Sequence, residues 1–337
     1  MGGLIPALKF ELPAPLTGRS PILDELKGVA ILLVILYHAG GVLLWENRLH
    51  GDVGVDMFVV LSGAGLTLGS GFTTTRSFLS RRLKRILPAY WIVLTFFLLL
   101  NSHFLEKHYT PVDIVTHFAG VHAWRGDAGA MSINDSFWFI TLILTLYVLY
   151  CHVHAYSSEK LLLVGAIVSL ATSLGFFYAN QPGTFAHLGM RMPDFFIGLL
   201  LGRLLRAGHL ELAAGPALGV ALLLLAYIPY TQGFIFAQLP VGLAVMAFYT
   251  FAVRPMLPAS TNATVLRPLK FLGDYSFEIF LIHQPLMRDY VYYCLGRFFG
   301  MPQPSTLAVI FAMAVALAVT LILSVELKQF LQKILPK

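Results

Sequence analysis

Lys27-Gly-Val-Ala-Ile-Leu-Leu-Val-Ile-Leu-Tyr-His38 lies inside the first long apolar run of the chain. An ionisable side chain inside a membrane span is costly, so its default interpretation is functional. Eleven residues of helix make about three turns and rise roughly 16 Å, so Lys27 and His38 would project from nearly the same face at different depths. The two side chains could therefore bind opposite ends of one long ligand.

The rest of the chain shares this apolar character. Of its 337 residues, 57% are hydrophobic and only 12% are charged, and the mean hydropathy is +0.75. These values lie far from those of an average soluble domain. Apolar runs long enough to cross a bilayer recur from end to end. The sequence therefore predicts an all-α, polytopic membrane protein.

About ten transmembrane helices are predicted. The spans lie near 22–45, 53–72, 86–105, 135–156, 159–179, 185–205, 211–232, 234–253, 271–295 and 304–327. With the N-terminus in the cytosol, 17 of the 23 lysines and arginines fall on the inner side, so both termini are predicted to be cytosolic. Residues 1–337 form a single predicted transmembrane domain, with 1–21 as its cytosolic N-terminal segment. The net charge of +6 therefore needs no nucleic acid to explain it.

Two intramembrane histidines and one aspartate are the candidate catalytic residues. His38 is either a polar bridge between helices or a general base or proton shuttle. Asp56 begins the second span, where it could orient and charge His38 or act only as a helix N-terminal charge. His283 precedes Pro285, so it could line an internal cavity or stabilise a kink through a hydrogen bond.

A basic cluster precedes the third span in Arg81-Arg82-Leu83-Lys84-Arg85. Positive-inside anchoring explains such a cluster without a ligand. The guanidinium fork is also the group that holds phosphates. Beside Lys27, the arginines favour a phosphate-binding site.

The two cysteines, Cys151 and Cys294, do not have the spacing of a metal site, so no metal is predicted.

The longest polar stretch, residues 106–134, lies on the predicted outer side. It and the residue just after it contain His108, Asp113, His117, His122, Trp124, Arg125, Asp127 and Asp135. This composition suits contact with a polar acceptor, and it also suits an ordinary solvated loop.

Taken together, four stretches resemble the acyltransferase-3 family of integral-membrane acyltransferases. In order they are the basic-x10-His motif from Lys27 to His38, Gly-Val-Asp-x-Phe-x-x-x-Ser-Gly from Gly54 to Gly63, the arginine-rich segment from Arg81 to Tyr90, and Tyr-Ser-x-x-x-x-Leu-x-His-x-Pro from Tyr275 to Pro285. The match runs in order over nearly the whole chain.

The resemblance implies transfer of an acyl group, usually acetyl from cytosolic acetyl-CoA, to a hydroxyl of a glycan or lipid-linked sugar handled outside. It implies that Lys27 and the Arg81–Arg85 cluster meet the phosphates of the acyl-CoA donor. His38 would work at the thioester with support from Asp56. We place Ser62 of the second motif with the donor-binding residues, and His283 with the catalytic ones.

Two departures from the family pattern bear on these assignments. Many relatives carry a glutamate a few residues after the tryptophan of the fourth span, and the segment Trp138-Phe139-Ile140-Thr141-Leu142-Ile143 has none. Some relatives add an extracytoplasmic hydrolase-like domain, whereas this chain ends soon after its last predicted span, so none is expected here.

A proton-coupled transporter of a polar or acylated solute is the competing hypothesis, with His38 and Asp56 as its proton relay. Such a carrier would show flux that depends on the pH gradient, and it would consume no acetyl-CoA. Both hypotheses place a multi-pass protein among membrane lipids, in a bacterial inner membrane. The sequence does not specify the acceptor or the oligomeric state.

Overall fold

The computed structural model describes residues 21–43, 53–69, 72–154, 158–178, 188–207, 238–254, 257 and 264–335. Every regular element in these ranges is helical, which confirms the all-α prediction. The predicted span at 211–232 and residues 1–20 of the predicted N-terminal segment lie outside the described residues.

Thirteen α-helices are described, joined in places by short 3₁₀ or π turns. They are α1 (Pro21–Leu43), α2 (Val53–Leu68), α3 (Thr75–Phe104), α4 (Pro111–Phe118), α5 (Asp127–Ala130), α6 (Trp138–Val153), α7 (Glu159–Tyr178), α8 (Met192–Ala207), α9 (Gln238–Phe248), α10 (Leu266–Asp274), α11 (Ser276–Pro285), α12 (Val291–Arg297) and α13 (Thr306–Ile334). A 3₁₀ turn covers His122–Arg125, and π-helical turns cover Tyr249–Val253 and Leu286–Tyr290.

Three of the described helices are long and apolar enough to cross a membrane, namely α1, α3 and α13. Val53–Leu68, Trp138–Val153 and Leu239–Phe248 are shorter apolar helices. Large apolar side chains of α13 are exposed, including Leu307 at 76% and Phe311 at 71%, as expected for a surface in lipid rather than water. The total of about ten spans and the cytosolic location of both termini stay predictions.

Helix α1 packs against α2, α10 and α11, and glycines allow the closest of these approaches. A Cβ atom added at Gly28 would lie 2.0 Å from the carbonyl oxygen of Leu269 in α10, and one added at Gly273 would lie 1.7 Å from the carbonyl oxygen of Asp24. Small residues at membrane helix interfaces permit this contact between backbones. The N-terminal half of α1 is thereby fixed against α10.

Substitution of Gly28 by alanine is expected to destabilise the fold, because the new Cβ meets backbone rather than a flexible side chain. Overpacking of this kind costs about 1–3 kcal/mol. Gly65→Ala is the matched control, since a Cβ there has no neighbour within 4 Å. Thermal unfolding of the purified protein in detergent should show a lower midpoint for Gly28→Ala and an unchanged or higher midpoint for Gly65→Ala. Equal midpoints for the two variants would refute this packing argument.

Helix α11, which carries His283, is held at its start by α13. The chain breaks its helical path at Tyr275, between α10 and α11. Lys328 Nζ donates a hydrogen bond to the carbonyl oxygen of Asp274 and lies 4.6 Å from the centre of the Tyr275 ring. These contacts fix the position from which α11 runs toward His283.

Candidate active site

The two predicted intramembrane histidines meet between α1 and α11. His283 Nε2 lies 3.1 Å from His38 Nδ1, and the two ring centroids are 4.9 Å apart. His38 Nδ1 is also 3.0 Å from the carbonyl oxygen of Val34, and His283 Nδ1 is 3.0 Å from the carbonyl oxygens of Ile279 and Phe280. His283 is fully buried, and His38 is half-buried.

These partners determine which nitrogen of each neutral ring carries the proton. A carbonyl oxygen only accepts hydrogen bonds, so His283 Nδ1 must donate. The Nε2 atom of a neutral His283 is then unprotonated, and it accepts a hydrogen bond from His38 Nδ1. The lone pair of a neutral His38 therefore resides on Nε2, and this atom can accept a proton.

Asp56 belongs to a buried cluster of two carboxylates and one guanidinium. Arg191 Nη2 lies 3.7 Å from Asp56 Oδ2, and the fully buried Asp194 interacts with both side chains. The guanidinium carbon of Arg191 lies 5.1 Å from the centre of the Trp138 ring. A direct role of Asp56 beside His38 stays a prediction, because the contacts described for Asp56 are those within this cluster.

The predicted basic cluster lies in the N-terminal part of α3. Its three arginines border a cavity of about 300 Å³ that is lined by Leu66, Gly69, Phe72, Phe78, Arg81, Arg82, Arg85 and Tyr150. The guanidinium carbon of Arg82 is 5.5 Å from the centre of the Phe78 ring and 5.6 Å from that of Tyr147, and Arg81 Nη1 donates to Ser77 Oγ. The cavity thus combines fixed positive charge with aromatic walls.

The other predicted donor-binding residues lie on α1 and α2. Lys27 is paired with Asp24 at 3.2 Å, with its own side chain 31% exposed. Ser62 is half-buried on α2. Neither residue is among those that line the arginine cavity, so their contact with the donor stays a prediction.

Sequence reasoning missed several polar residues that the fold places around the histidine pair or near Asp56. Arg191 and Asp194 are two of them. Both fall inside the predicted span 185–205, so the high cost of charges in a membrane was the signal that could have revealed them. Gln284, next to His283, is a further residue that sequence reasoning missed. It accepts a hydrogen bond from Ser136 Oγ at 2.6 Å.

Two histidines of the outer polar stretch are stacked inside the protein rather than solvated. The rings of His117 and His122 are parallel within 9°, with centroids 3.8 Å apart, and both residues are fully buried. Burial lowers the pKa of His117 to about 4, and burial, then His117, lower the pKa of His122 to about 3. Nearby, hydrogen bonds from Thr110 and Arg125 lower the pKa of Asp113 to about 2. Both histidines are therefore neutral at physiological pH.

Mild acid is expected to open this segment. An exposed histidine has a pKa near 6.5, so the opened segment gains protons below that pH while the closed segment stays neutral until about pH 4. The free energy of opening of this segment is thus highest above pH 6.5, and it falls as the pH drops below that value. For His122 at pH 5 the loss is about 2 kcal/mol, or roughly 30-fold in the opening equilibrium. Asp113 adds a loss only below its ordinary pKa near 3.8.

Hydrogen exchange over residues 110–134, corrected for the intrinsic rate at each pH, measures this opening. The wild type should open more often at pH 5 than at pH 7.5. His122→Phe keeps an aromatic ring in the stack and removes one of its two titratable groups, so the difference between the two pH values should shrink by roughly 30-fold, while the contribution of His117 remains. Equal protection of the wild type at both pH values would contradict the expected opening.

Comparison with known proteins gives the family context of this geometry. The model of the acyltransferase-3 family, described as an acyltransferase domain, matches residues 21–325. This range includes both histidines, the Asp56 cluster and the arginine cavity. No solved structure matches the chain with significance.

Curated relatives carry provisional names of the same kind. A protein of Acidianus two-tailed virus, named as an acetyltransferase, is 24% identical over 78% of this chain and 82% of its own length. A Staphylococcus aureus protein, named as an O-acetyltransferase, is 34% identical over 36% of this chain but only 21% of its own length. A Komagataeibacter xylinus protein, named as a membrane-bound transacylase, is 44% identical over 20% of this chain and 17% of its own length.

Proposed function

This chain belongs to the acyltransferase-3 family, and we propose that it transfers an acetyl or related acyl group from cytosolic acyl-CoA to a hydroxyl of a glycan or lipid-linked sugar. The observation that carries the proposal is the His38–His283 pair, in which the hydrogen bonds assign the basic lone pair to His38 Nε2. The relatives named as O-acetyltransferases support an acetyl donor and an oxygen acceptor. We place the protein in a bacterial inner membrane.

The arginine cavity supports the choice of CoA as the donor. The nucleotide end of CoA carries phosphates and an adenine ring. Arg81, Arg82 and Arg85 offer charge-assisted hydrogen bonds to phosphates, and the aromatic walls at Phe78 and Tyr150 offer an apolar surface to a ring. No such combination is needed for a carrier of a neutral solute.

His38 supplies the chemistry in this proposal. Its Nε2 atom takes the proton of the acceptor hydroxyl while the hydroxyl oxygen attacks the thioester carbonyl. The carbon–sulfur bond then breaks, and the CoA thiolate takes the proton back from His38, so that an ester and free CoA are the products. His283 holds His38 in the required tautomer by accepting its Nδ1 proton in a hydrogen bond, as a carboxylate does for the histidine of a catalytic triad. A relay of the acyl group through His38 would use the same lone pair.

The direct test uses purified protein in lipid nanodiscs with acetyl-CoA labelled in the acetyl group. Glycolipids and glycans extracted from the source cells serve as the acceptor mixture. The expected result is release of one CoA thiol for each labelled ester formed. Proton-driven solute flux in proteoliposomes, without consumption of acetyl-CoA, would instead establish the transporter hypothesis.

A further inference from the structure

A chain of polar side chains connects the outer surface to the residue beside His283. Gln284 follows His283 directly, and its Nε2 atom donates to Asp135 Oδ2 at 3.4 Å. Ser136 Oγ donates to Gln284 Oε1, and Asn134 Nδ2 donates to the carbonyl oxygen of Leu281 at 3.2 Å. The segment that precedes α6 is thus joined to α11 at the level of the histidine pair.

The outer end of this chain consists of charged groups that pair with one another. Arg288 Nη1 bonds Asp135 Oδ2, Arg288 Nε lies 2.7 Å from Asp289 Oδ1, and Lys107 Nζ lies 3.3 Å from Asp289 Oδ2. The side chains of Arg288 and Asp135 are 42% and 28% exposed, so solutes can reach them. We call Lys107, Asp135, Gln284, Arg288 and Asp289 the outer polar cluster, and its two cations and two anions sum to zero charge.

The backbone at this cluster is also unusual. Leu286–Tyr290 forms a π-helical turn immediately after α11, and the turn contains Arg288 and Asp289. Single π-helical turns within helices are rare, and they are frequent at functional sites. The turn coincides with the point where the buried histidine pair gives way to exposed charge.

We propose that the outer polar cluster is the acceptor-binding subsite and that it takes the hydroxyl groups of a neutral sugar. This inference rests on the proposed function, since it concerns the acceptor of the same reaction. The carboxylate of Asp135 accepts hydrogen bonds, and the guanidinium of Arg288 and the amide of Gln284 donate them. Neighbouring hydroxyls of a sugar both donate and accept, so they complement such an array.

This subsite differs from the donor cavity in its net charge. The donor cavity has three arginines among its lining residues, as a polyphosphate requires, whereas each charge of the outer polar cluster has an opposite partner. An anionic acceptor would have to displace Asp135 or Asp289 from its cation. The arrangement therefore favours a neutral glycan over a sugar that carries phosphate or uronate.

The test is complementation of source cells that lack the gene, so that the native acceptor is present. Ester-linked acetate is measured in the neutral and anionic envelope glycans after anion exchange. The variants are Asp135→Asn, Arg288→Gln and the charge swap Asp135→Arg/Arg288→Asp. Arg297→Gln is the control, because this exposed arginine near the end of α12 lies outside the cluster. Titration calorimetry with CoA on each purified variant reports the donor site separately.

The wild type and Arg297→Gln should restore acetate to the neutral fraction, while Asp135→Asn and Arg288→Gln should restore less than a tenth of it, with CoA affinity within twofold of wild type. The charge swap should not rescue acetylation. It restores the ion pair, but it exchanges the positions of the hydrogen-bond donor and the hydrogen-bond acceptor that the sugar would meet. Four results would each overturn the inference. They are rescue of acetylation by the charge swap, full activity of both single variants, loss of CoA binding in both single variants, and acetate confined to the anionic fraction. If loss of the gene leaves all ester-linked acyl groups unchanged, the proposed function itself fails.

Discussion

Replacement of His38 by alanine is expected to lower kcat for acyl transfer by about 10²–10⁴-fold, the usual contribution of a general base. The KM for acetyl-CoA should change by less than about twofold, because the nucleotide end of the donor is assigned to the arginine cavity. Labelled acetyl-CoA and quantification of the ester product measure both constants. The loss should be this large because the substitution removes the only lone pair that the hydrogen bonds of the histidine pair assign for proton transfer.

A matched control exists for the local helix contact of this residue. His152 on α6 is exposed, and its Nδ1 atom contacts the carbonyl oxygen four residues earlier at 2.9 Å, as His38 does. His152→Ala should leave kcat unchanged. Transfer by His38→Ala at more than half of the wild-type rate would disprove the role of His38.

His283 offers a graded version of the same test. His283→Phe removes the acceptor for the Nδ1 proton of His38, whereas His283→Gln supplies an amide oxygen that can accept it. If His283 positions His38, kcat should fall in both variants and fall less in His283→Gln. A purely structural role would follow side-chain shape instead and would not favour the glutamine.

Substitution of the arginines is expected to act on the donor alone. Arg85→Gln should raise the KM for acetyl-CoA about tenfold, since a charge-assisted hydrogen bond contributes about 1.5–3 kcal/mol and this side chain is partly screened by water. The triple substitution of Arg81, Arg82 and Arg85 should raise it at least 100-fold on the same reasoning. Initial rates over a range of acetyl-CoA concentrations measure the effect, and kcat at saturation should change little.

The controls for this prediction use both the protein and the donor. Lys84→Gln removes an exposed cation from the same stretch of α3, and Lys84 is not among the residues that line the cavity, so its KM should stay near that of wild type. S-acetyl-pantetheine lacks the nucleotide, so Arg85→Gln and wild type should use it equally. Equal sensitivity of both donors to Arg85→Gln would mean that the arginines do not recognise the nucleotide end.

The sequence could reveal the residue types of the candidate site but not all their partners. His38 and His283 were recognisable because an imidazole in an apolar run is conspicuous. Their mutual contact depends on how α1 and α11 pack. The two histidines are 245 positions apart in the sequence, so no local pattern predicts their contact. The ion pair of Asp56 with Arg191 is likewise a contact between distant segments of the chain, and the predicted role of Asp56 beside His38 stays a prediction.

Fold class was the easiest feature to predict, since composition alone demands buried or lipid-facing helices. Helix boundaries were harder. The third span was predicted to begin at residue 86, and the helix that contains it, α3, begins at Thr75. The Thr74 side chain caps this helix by accepting a hydrogen bond from the Ser77 amide, and the arginine-rich segment continues the helix into the span. The outer histidines were grouped with polar loop residues because their stacking is a tertiary contact.

Transfer across sealed vesicles tests the central claim most directly, namely that a cytosolic acyl-CoA donor serves an acceptor on the outer side. Labelled acetyl-CoA is added outside inverted vesicles, whose cytosolic face points outward, and outside right-side-out vesicles made from the same cells. The expected result is labelled glycan ester in the inverted vesicles, absent with His38→Ala, and ester in right-side-out vesicles only after they are permeabilised. Equal transfer by intact vesicles of both orientations, or none by either while a pH gradient drives solute flux, would contradict the claim.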